Sequence, residues 1–241
     1  MSNAQSGTLS VATGIFALNL LPLAWAVLCL VTLEGLATIL FGADPGIPMV
    51  FIFTALVMHA ALRMIASSGQ VSGFDASLSA SGTVPWLFMV RTLILSVPGV
   101  LTFFMVGGLI MPGAGREAAQ IGGAIAGIAV NSMVYALFGT MLVEIAEGRD
   151  GDPEAALDEG RARFPGGFWI ILLGPGIAEF CLFMLDLTAR QIGLDITVID
   201  NEAEHLSPVG LVLNTIHYAG SAFVAICMAA ALTRLRAMPA D

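Results

Sequence analysis

Polar side chains interrupt several long apolar runs of this sequence, and they are the residues whose types point to chemistry. Glu179 follows a Gly174-Pro175-Gly176 break near the centre of its run. A charge at the centre of a bilayer costs roughly 2.5–3.5 kcal/mol on insertion scales, so such a residue needs a partner or a function. Glu179 is therefore a candidate proton or ion ligand, and a hydrogen bond to another helix is the structural alternative.

Four further polar residues lie in neighbouring runs and complete the candidate substrate or ion path. Asn214 and His217 share one helical face with Ser221, which predicts a polar stripe directed at protein or water. Arg91 and Asn131 are the other two candidates. Intramembrane amides are also typical of hydrogen bonds between helices, so both asparagines keep a structural interpretation.

The sequence predicts no cofactor. His59 and His217 fall at comparable depth, which leaves a haem or metal pair open, but an intramembrane histidine more often hydrogen-bonds across helices. The 3 cysteines stand singly, with no CxxC spacing. There is no lysine, which excludes a Schiff base and a Walker-type phosphate loop. Without a serine elbow or an HExxH motif, an enzyme is not favoured.

Arg63 and Glu144 lie near the ends of their spans, and the predicted topology puts both ends on the same side of the membrane. An ion pair between Glu144 and Arg63, or between Glu144 and Arg91, would explain their depth. These residues are therefore predicted to form a structural ion pair.

The composition defines the class of protein that carries these residues. Hydrophobic residues make up 57% of the 241 and charged residues 11%, with a mean hydropathy of +0.90. A typical soluble domain has about 25% charged residues. The net charge of −9 argues against nucleic acid, whose phosphates call for basic patches. The sequence therefore predicts an all-α protein, a polytopic bundle of membrane helices in contact with the lipid bilayer.

The apolar runs are long enough to cross a bilayer, which needs about 20 residues, and turn formers separate them. They predict a single transmembrane domain with spans near residues 15–41, 48–66, 84–110, 119–146, 168–189 and 208–233. An even number of spans puts both termini on one side. Loops and span ends on that side hold six arginines and those on the other side two, so the positive-inside rule predicts cytoplasmic termini in an inner membrane.

The second and third spans resemble the fourth and fifth. The segment ILSVPGVLTFF at 94–104 aligns with ILLGPGIAEFC at 171–181, which places Pro98-Gly99 and Pro175-Gly176 in register. Both units run in the same direction, which predicts an internal parallel repeat about an axis along the membrane normal. Each repeat is expected to bend at its proline. A chance likeness between two apolar segments is the alternative.

A short cytoplasmic helix is predicted over residues 153–163, where proline and acidic residues come first and arginines last. It contains AAL at 155–157 and RARF at 161–164, FW follows at 168–169, and a fainter copy lies at 76–88. This pattern resembles a set of bacterial six-span families, among them the membrane domain attached to some glycerophosphodiester phosphodiesterases. The resemblance covers residues near 55–190 and implies a membrane module with no established chemistry.

Gly123 and Gly127 of the fourth span have the spacing that lets two helix backbones approach closely. Close packing within one chain is the favoured interpretation. An interface with a membrane-protein partner or a second copy of the chain is the alternative.

The favoured function is that of a non-enzymatic inner-membrane protein, an accessory or assembly component. A small transporter or channel with a midplane site near Glu179 is the alternative, because matched Pro-Gly breaks in two repeats are typical of such sites. An intramembrane enzyme or a haem- or metal-binding protein is a further alternative. A polar cavity at Glu179 would favour transport, and a solid, dry core would favour the accessory role.

Overall fold

The computed structural model describes residues 7–41, 46–66, 86–111, 115–194, 199–200 and 205–239. Within this part, six helices are long and apolar enough to cross a membrane, and they cover residues 20–40, 48–66, 86–110, 116–138, 164–191 and 208–237. Their order and positions confirm the predicted all-α bundle. The chain is a multi-pass membrane protein in contact with lipid. The second copy of the short helix, expected near 76–88, lies mostly outside the described residues.

The helices are numbered here along the described part of the chain. They are α1 (Thr8–Leu18), α2 (Leu20–Phe41), α3 (Gly46–Ala66), α4 (Trp86–Met105), α5 (Arg116–Phe138), α6 (Thr140–Ala146), α7 (Pro153–Ala162), α8 (Phe164–Ile171), α9 (Ile177–Gln191) and α10 (Pro208–Ala237). Two π-helical turns, Val106–Ile110 and Leu172–Gly176, extend α4 and join α8 to α9. Two short strands, β1 (Ile199–Asp200) and β2 (His205–Leu206), pair antiparallel before α10.

The first span begins later than predicted, because the helix breaks at Asn19. The side chain of Asn19 donates a hydrogen bond to the Ile15 carbonyl oxygen at 2.8 Å and so competes with the backbone ladder. Pro22 has no N–H to bond the carbonyl of Leu18, which weakens the same turn. The break leaves α1 as a separate helix that packs against α10.

The fourth span is divided in a similar way at Gly139, between α5 and α6. A side chain at Gly139 would collide with Leu232 of α10 and with the backbone of Tyr135. The glycine therefore lets α10 approach the α5–α6 junction closely.

The two predicted Pro-Gly breaks differ in local form. Pro98 stands inside α4, which remains α-helical around it, whereas Pro175 lies in the π turn between α8 and α9. A π turn is one way for a helix to accommodate a residue that lacks a backbone N–H.

Both breaks nevertheless contact the same helix at neighbouring positions. A Cβ atom on Gly99 would lie 2.9 Å from Cβ of Asn131, and one on Gly176 would lie 3.1 Å from Cγ2 of Ile128. The two parallel spans thus approach α5 within one turn of each other. The internal repeat itself stays a prediction.

The two ends of the bundle are named by the elements they carry. The connector end carries Ala66, Trp86, α7 and Ala237, and the hairpin end carries β1 and β2. Toward the connector end, α10 is buried on almost every side between Ala222 and Leu235, and it packs there against α3 and α6. The densest part of the core therefore lies in the connector half.

Candidate functional site

The hairpin half contains a cavity of about 880 Å³, enclosed by α2, α3, α4, α5, α9 and α10. Clefts that bind small molecules have volumes of about 300–1,000 Å³. Polar side chains from all six helices line it, namely Glu34, Thr54, Thr92, Ser96, Asn131, Tyr135, Glu179, Asp186, Arg190, Asn214, His217 and Ser221. This is the polar cavity at Glu179 that distinguishes the two leading hypotheses.

The cavity extends from the hairpin end past the middle of the bundle, as far as Thr92 of α4 and Met228 of α10. Its lining residues on α9 run from Glu179 to Arg190, a separation of about 16 Å at the helical rise per residue. Arg190 is exposed and lies at the mouth, whereas Glu179 lies near the centre of its span. Ser96 of α4 and Tyr135 of α5 form part of the deep end, and their hydroxyl oxygens are 3.3 Å apart.

The polar stripe predicted for the last span faces this cavity. Asn214, His217 and Ser221 all line it from α10. Their spacing places them on one face of a helix, so the orientation that exposes one of them to the cavity exposes all three. This prediction is confirmed.

One carboxylate of the cavity was missed by the sequence reasoning. Asp186 lies 2.9 Å from Nδ1 of His217, and both side chains are partly exposed. Asp186 comes seven residues after Glu179 and therefore lies on the same face of α9 two turns further on. That spacing was the available signal.

A second carboxylate is held by a tyrosine far away in the sequence. The hydroxyl of Tyr218 donates a hydrogen bond to Oε2 of Glu34 at 2.8 Å, and Glu34 is only 5% exposed. Tyr218 is itself fully buried and packs edge-on against Phe53. The bond therefore ties α2 to α10 beside the cavity.

Glu179 differs from these two carboxylates. It lines the cavity, and no side chain in the described part of the chain donates a hydrogen bond to it or forms an ion pair with it. Asn131 lines the same cavity, and its buried Oδ1 atom also lacks a donor there. The cavity wall, rather than lipid, is the place expected for a carboxyl group in a membrane.

Two candidate residues are not brought to the cavity. Thr92 lines it, but the adjacent Arg91 does not, because consecutive side chains on a helix point about 100° apart. His59 is buried against the ring of Phe88, with centroids 4.8 Å apart, and does not line the cavity that His217 lines. No group of three or more His, Cys, Asp or Glu side chains among the described residues could hold a metal ion.

The predicted partner of Glu144 was wrong. Glu144 lies 3.1 Å from Arg149 and 3.9 Å from Arg236, and neither Arg63 nor Arg91 is among its partners. The chain reverses after α6 through Gly148, whose φ of +83° favours glycine. That turn brings Arg149 back over the helix end, which the spacing of the spans did not reveal.

Gly123 and Gly127 pack within the chain, as the favoured interpretation proposed. A Cβ atom on Gly123 would lie 2.7 Å from the Phe103 carbonyl oxygen, and one on Gly127 would lie 2.9 Å from that of Gly99. The small-residue face of α5 is therefore covered by α4 and is not available to a second copy.

Fold and cavity together define a multi-pass helical membrane protein with a polar internal cavity. No protein-family model matches its sequence, and comparisons with curated protein sequences and with solved structures give no match. The resemblance to bacterial six-span families stays a prediction.

Proposed function

We propose that this chain is a small solute transporter of a bacterial inner membrane, with the cavity around Glu179 as its substrate site. The observation that carries the proposal is the 880 Å³ cavity, lined by polar residues from six helices and reaching the middle of the bundle. Transporters of several folds bind substrates near the bilayer midplane, between helices that are broken there. A solid, dry core would instead have favoured an accessory or assembly role.

The arginine distribution supports an orientation for the proposed transporter. Loops and helix ends at the connector end hold most arginines outside the spans, which places this end in the cytoplasm by the positive-inside rule. The cavity then faces the outside. A reporter that is active only outside the cytoplasm should give no signal when fused after Asp241, and a strong signal would reverse the orientation.

Packing at the connector end supports the view that this is an outward-facing state. Tightly packed side chains separate the cavity from that end, and ion pairs join the helix ends beyond them. Arg236 of α10 lies 2.8 Å from Glu147, which follows α6. Alternating access requires this closure to open while the hairpin end closes.

The proposal is tested by the accessibility of the deep end of the cavity from each side of the membrane. Cys29, Cys181 and Cys227 are first replaced by alanine, and Ser96→Cys is then introduced. A membrane-impermeant thiol reagent should modify this cysteine in right-side-out vesicles and, more slowly, in inside-out vesicles. The controls are Leu101→Cys, at an exposed position on the apolar outer surface, and Ala231→Cys, in the solid core.

Neither control cysteine should react. Modification of Ser96→Cys from the outside alone would make the chain a binding protein rather than a transporter. Modification from neither side would show that solutes do not reach the cavity, and the proposal would be wrong.

A further inference from the structure

We infer that the solute is an organic cation with N–H donors and an apolar body, bound with its charged end against Glu179. This inference rests on the proposed function and names the substrate class of the same site. The observation behind it is a carboxylate near the middle of the bundle that no described residue pairs with, in a cavity whose remaining wall is largely apolar.

Charge is the first reason. Three carboxylates line the cavity, and Arg190 is the one arginine among its described lining residues. Two of these carboxylates already have a side-chain partner: Glu34 accepts from Tyr218, beside the cavity, at 2.8 Å, and Asp186 lies 2.9 Å from His217. Glu179 is left with no partner from the described chain, so an anionic solute would meet repulsion and a cation would be attracted.

Arg190 does not neutralise Glu179. The two residues lie about 16 Å apart along α9, far beyond the separation of about 4 Å that defines an ion pair. Arg190 stands instead at the mouth, where the cavity meets solvent. A positive charge close to Glu179 must therefore come from the solute.

Hydrogen bonding is the second reason. An ionised carboxylate at Glu179 accepts hydrogen bonds and donates none, and Asn131 Oδ1 is a second acceptor for which the described residues supply no donor. A primary ammonium group brings three N–H donors on one charged atom. An amine therefore supplies a positive charge for Glu179 and N–H donors for the acceptors in this part of the cavity.

Shape and polarity of the remaining wall are the third reason. The face of α3 and parts of α9 and α10 present apolar side chains to the cavity, namely Val50, Phe51, Ala55, Met58, Leu182, Phe183, Val224 and Met228. Such a wall favours burial of a hydrocarbon or aromatic group. A small inorganic cation would leave most of this wall without a partner.

The test compares probes of equal shape and different charge. Phenethylamine, 2-phenylethanol and phenylacetate form one set, and hexylamine, hexanol and hexanoate form another. The readout is the rate at which a membrane-impermeant thiol reagent modifies Ser221→Cys, which lies in the cavity wall. We expect each amine at saturation to slow the reaction at least tenfold, and the alcohol and the acid to leave it unchanged.

Glu179→Gln should remove the protection by amines. The matched control is Glu117→Gln, which deletes one exposed carboxylate at the hairpin end, outside the cavity. Protection by the alcohol or the acid as strong as that by the amine would overturn the inference. So would the absence of protection by either amine, or full protection in Glu179→Gln.

The two proposals fail in different ways. If the thiol reagent modifies Ser96→Cys from both sides but no amine protects Ser221→Cys, the transport proposal stands and the cationic substrate is wrong. If amines protect but Ser96→Cys is reached from one side alone, the cation site remains and transport is wrong.

Discussion

The two halves of this bundle are built from the same helices but differ in what those helices place between them. In the hairpin half, α10 presents Asn214, His217 and Ser221 to the cavity. In the connector half, the same helix continues as a largely alanine and aliphatic segment that is buried on almost every side. Small side chains let helices approach until no space remains, whereas polar side chains of larger size hold them apart. A change of residue type along one helix thus separates a binding region from a closed one.

The carboxylates of the two halves also differ, in whether they are paired with guanidinium groups. At the connector end, Glu144 and Glu147 are paired with the guanidinium groups of Arg149 and Arg236. In the cavity region, Asp186 pairs with an imidazole and Glu34 with a neutral tyrosine hydroxyl, so neither faces a guanidinium group. Glu179 pairs with none of the described residues. Charges at the connector end are therefore already balanced, and the charge of Glu179 is available to a ligand.

The largest expected loss of stability comes from a substitution in the closely packed connector half. Gly160 of α7 packs on the backbone of α5, and a Cβ atom there would lie 2.6 Å from the carbonyl carbon of Leu137. Gly160→Ala should lower stability by roughly 1–3 kcal/mol, because two helix backbones must separate. Thermal unfolding in detergent measures the loss. Gly14→Ala in α1 is the control, since nothing lies within 4 Å of its added methyl group. Equal stability of the two variants would contradict the close contact.

A smaller loss is expected beside the cavity. Tyr218→Phe removes the hydrogen bond to the buried Glu34 and should cost roughly 1–2 kcal/mol. Tyr135→Phe is the matched control, because among the described residues its hydroxyl hydrogen-bonds with the neutral Ser96, at 3.3 Å. The same unfolding measurement should give the control the smaller shift. The reverse order would show that Glu34 does not depend on Tyr218.

The ion pairs of the connector end should contribute less again. Glu144→Gln removes contacts with Arg149 and Arg236, but these side chains are partly exposed, so the loss should be about 0–1 kcal/mol. Raising the salt concentration should reduce the difference from the unmodified chain. Asp158→Asn is the control, since its pair with Arg161 is highly exposed. A loss of stability as large as that of Gly160→Ala would contradict the expectation that these ion pairs contribute little.

The smallest effect on stability is expected at Glu179. Because no described residue bonds its carboxylate, Glu179→Gln should change stability by less than about 0.5 kcal/mol while abolishing solute binding. Unfolding and cysteine protection are measured on the same preparation. A loss similar to that of Tyr218→Phe would instead give Glu179 a structural role.

Several features could be read from the residues alone because their causes are local. A run of apolar residues long enough for a bilayer forms a spanning helix whatever its neighbours are, so the six spans followed from length and hydropathy. The stripe of Asn214, His217 and Ser221 followed from helical spacing. The break at Gly139 was missed because a close contact with α10 decided it, and the break at Asn19 was missed although its cause, a hydrogen bond to Ile15, is local.

Tertiary structure decided which polar side chains meet. Glu34 and Tyr218 are 184 residues apart, and their contact depends on how α2 and α10 are rotated about their axes. The rotation of α4 about its own axis likewise turns Thr92 into the cavity and Arg91 away from it. Hydropathy determines that a helix crosses the membrane, but not which of its faces points inward when several sides are apolar. That choice is made by the fit between helices, in which single glycines such as Gly99, Gly127 and Gly176 set how closely each pair can approach.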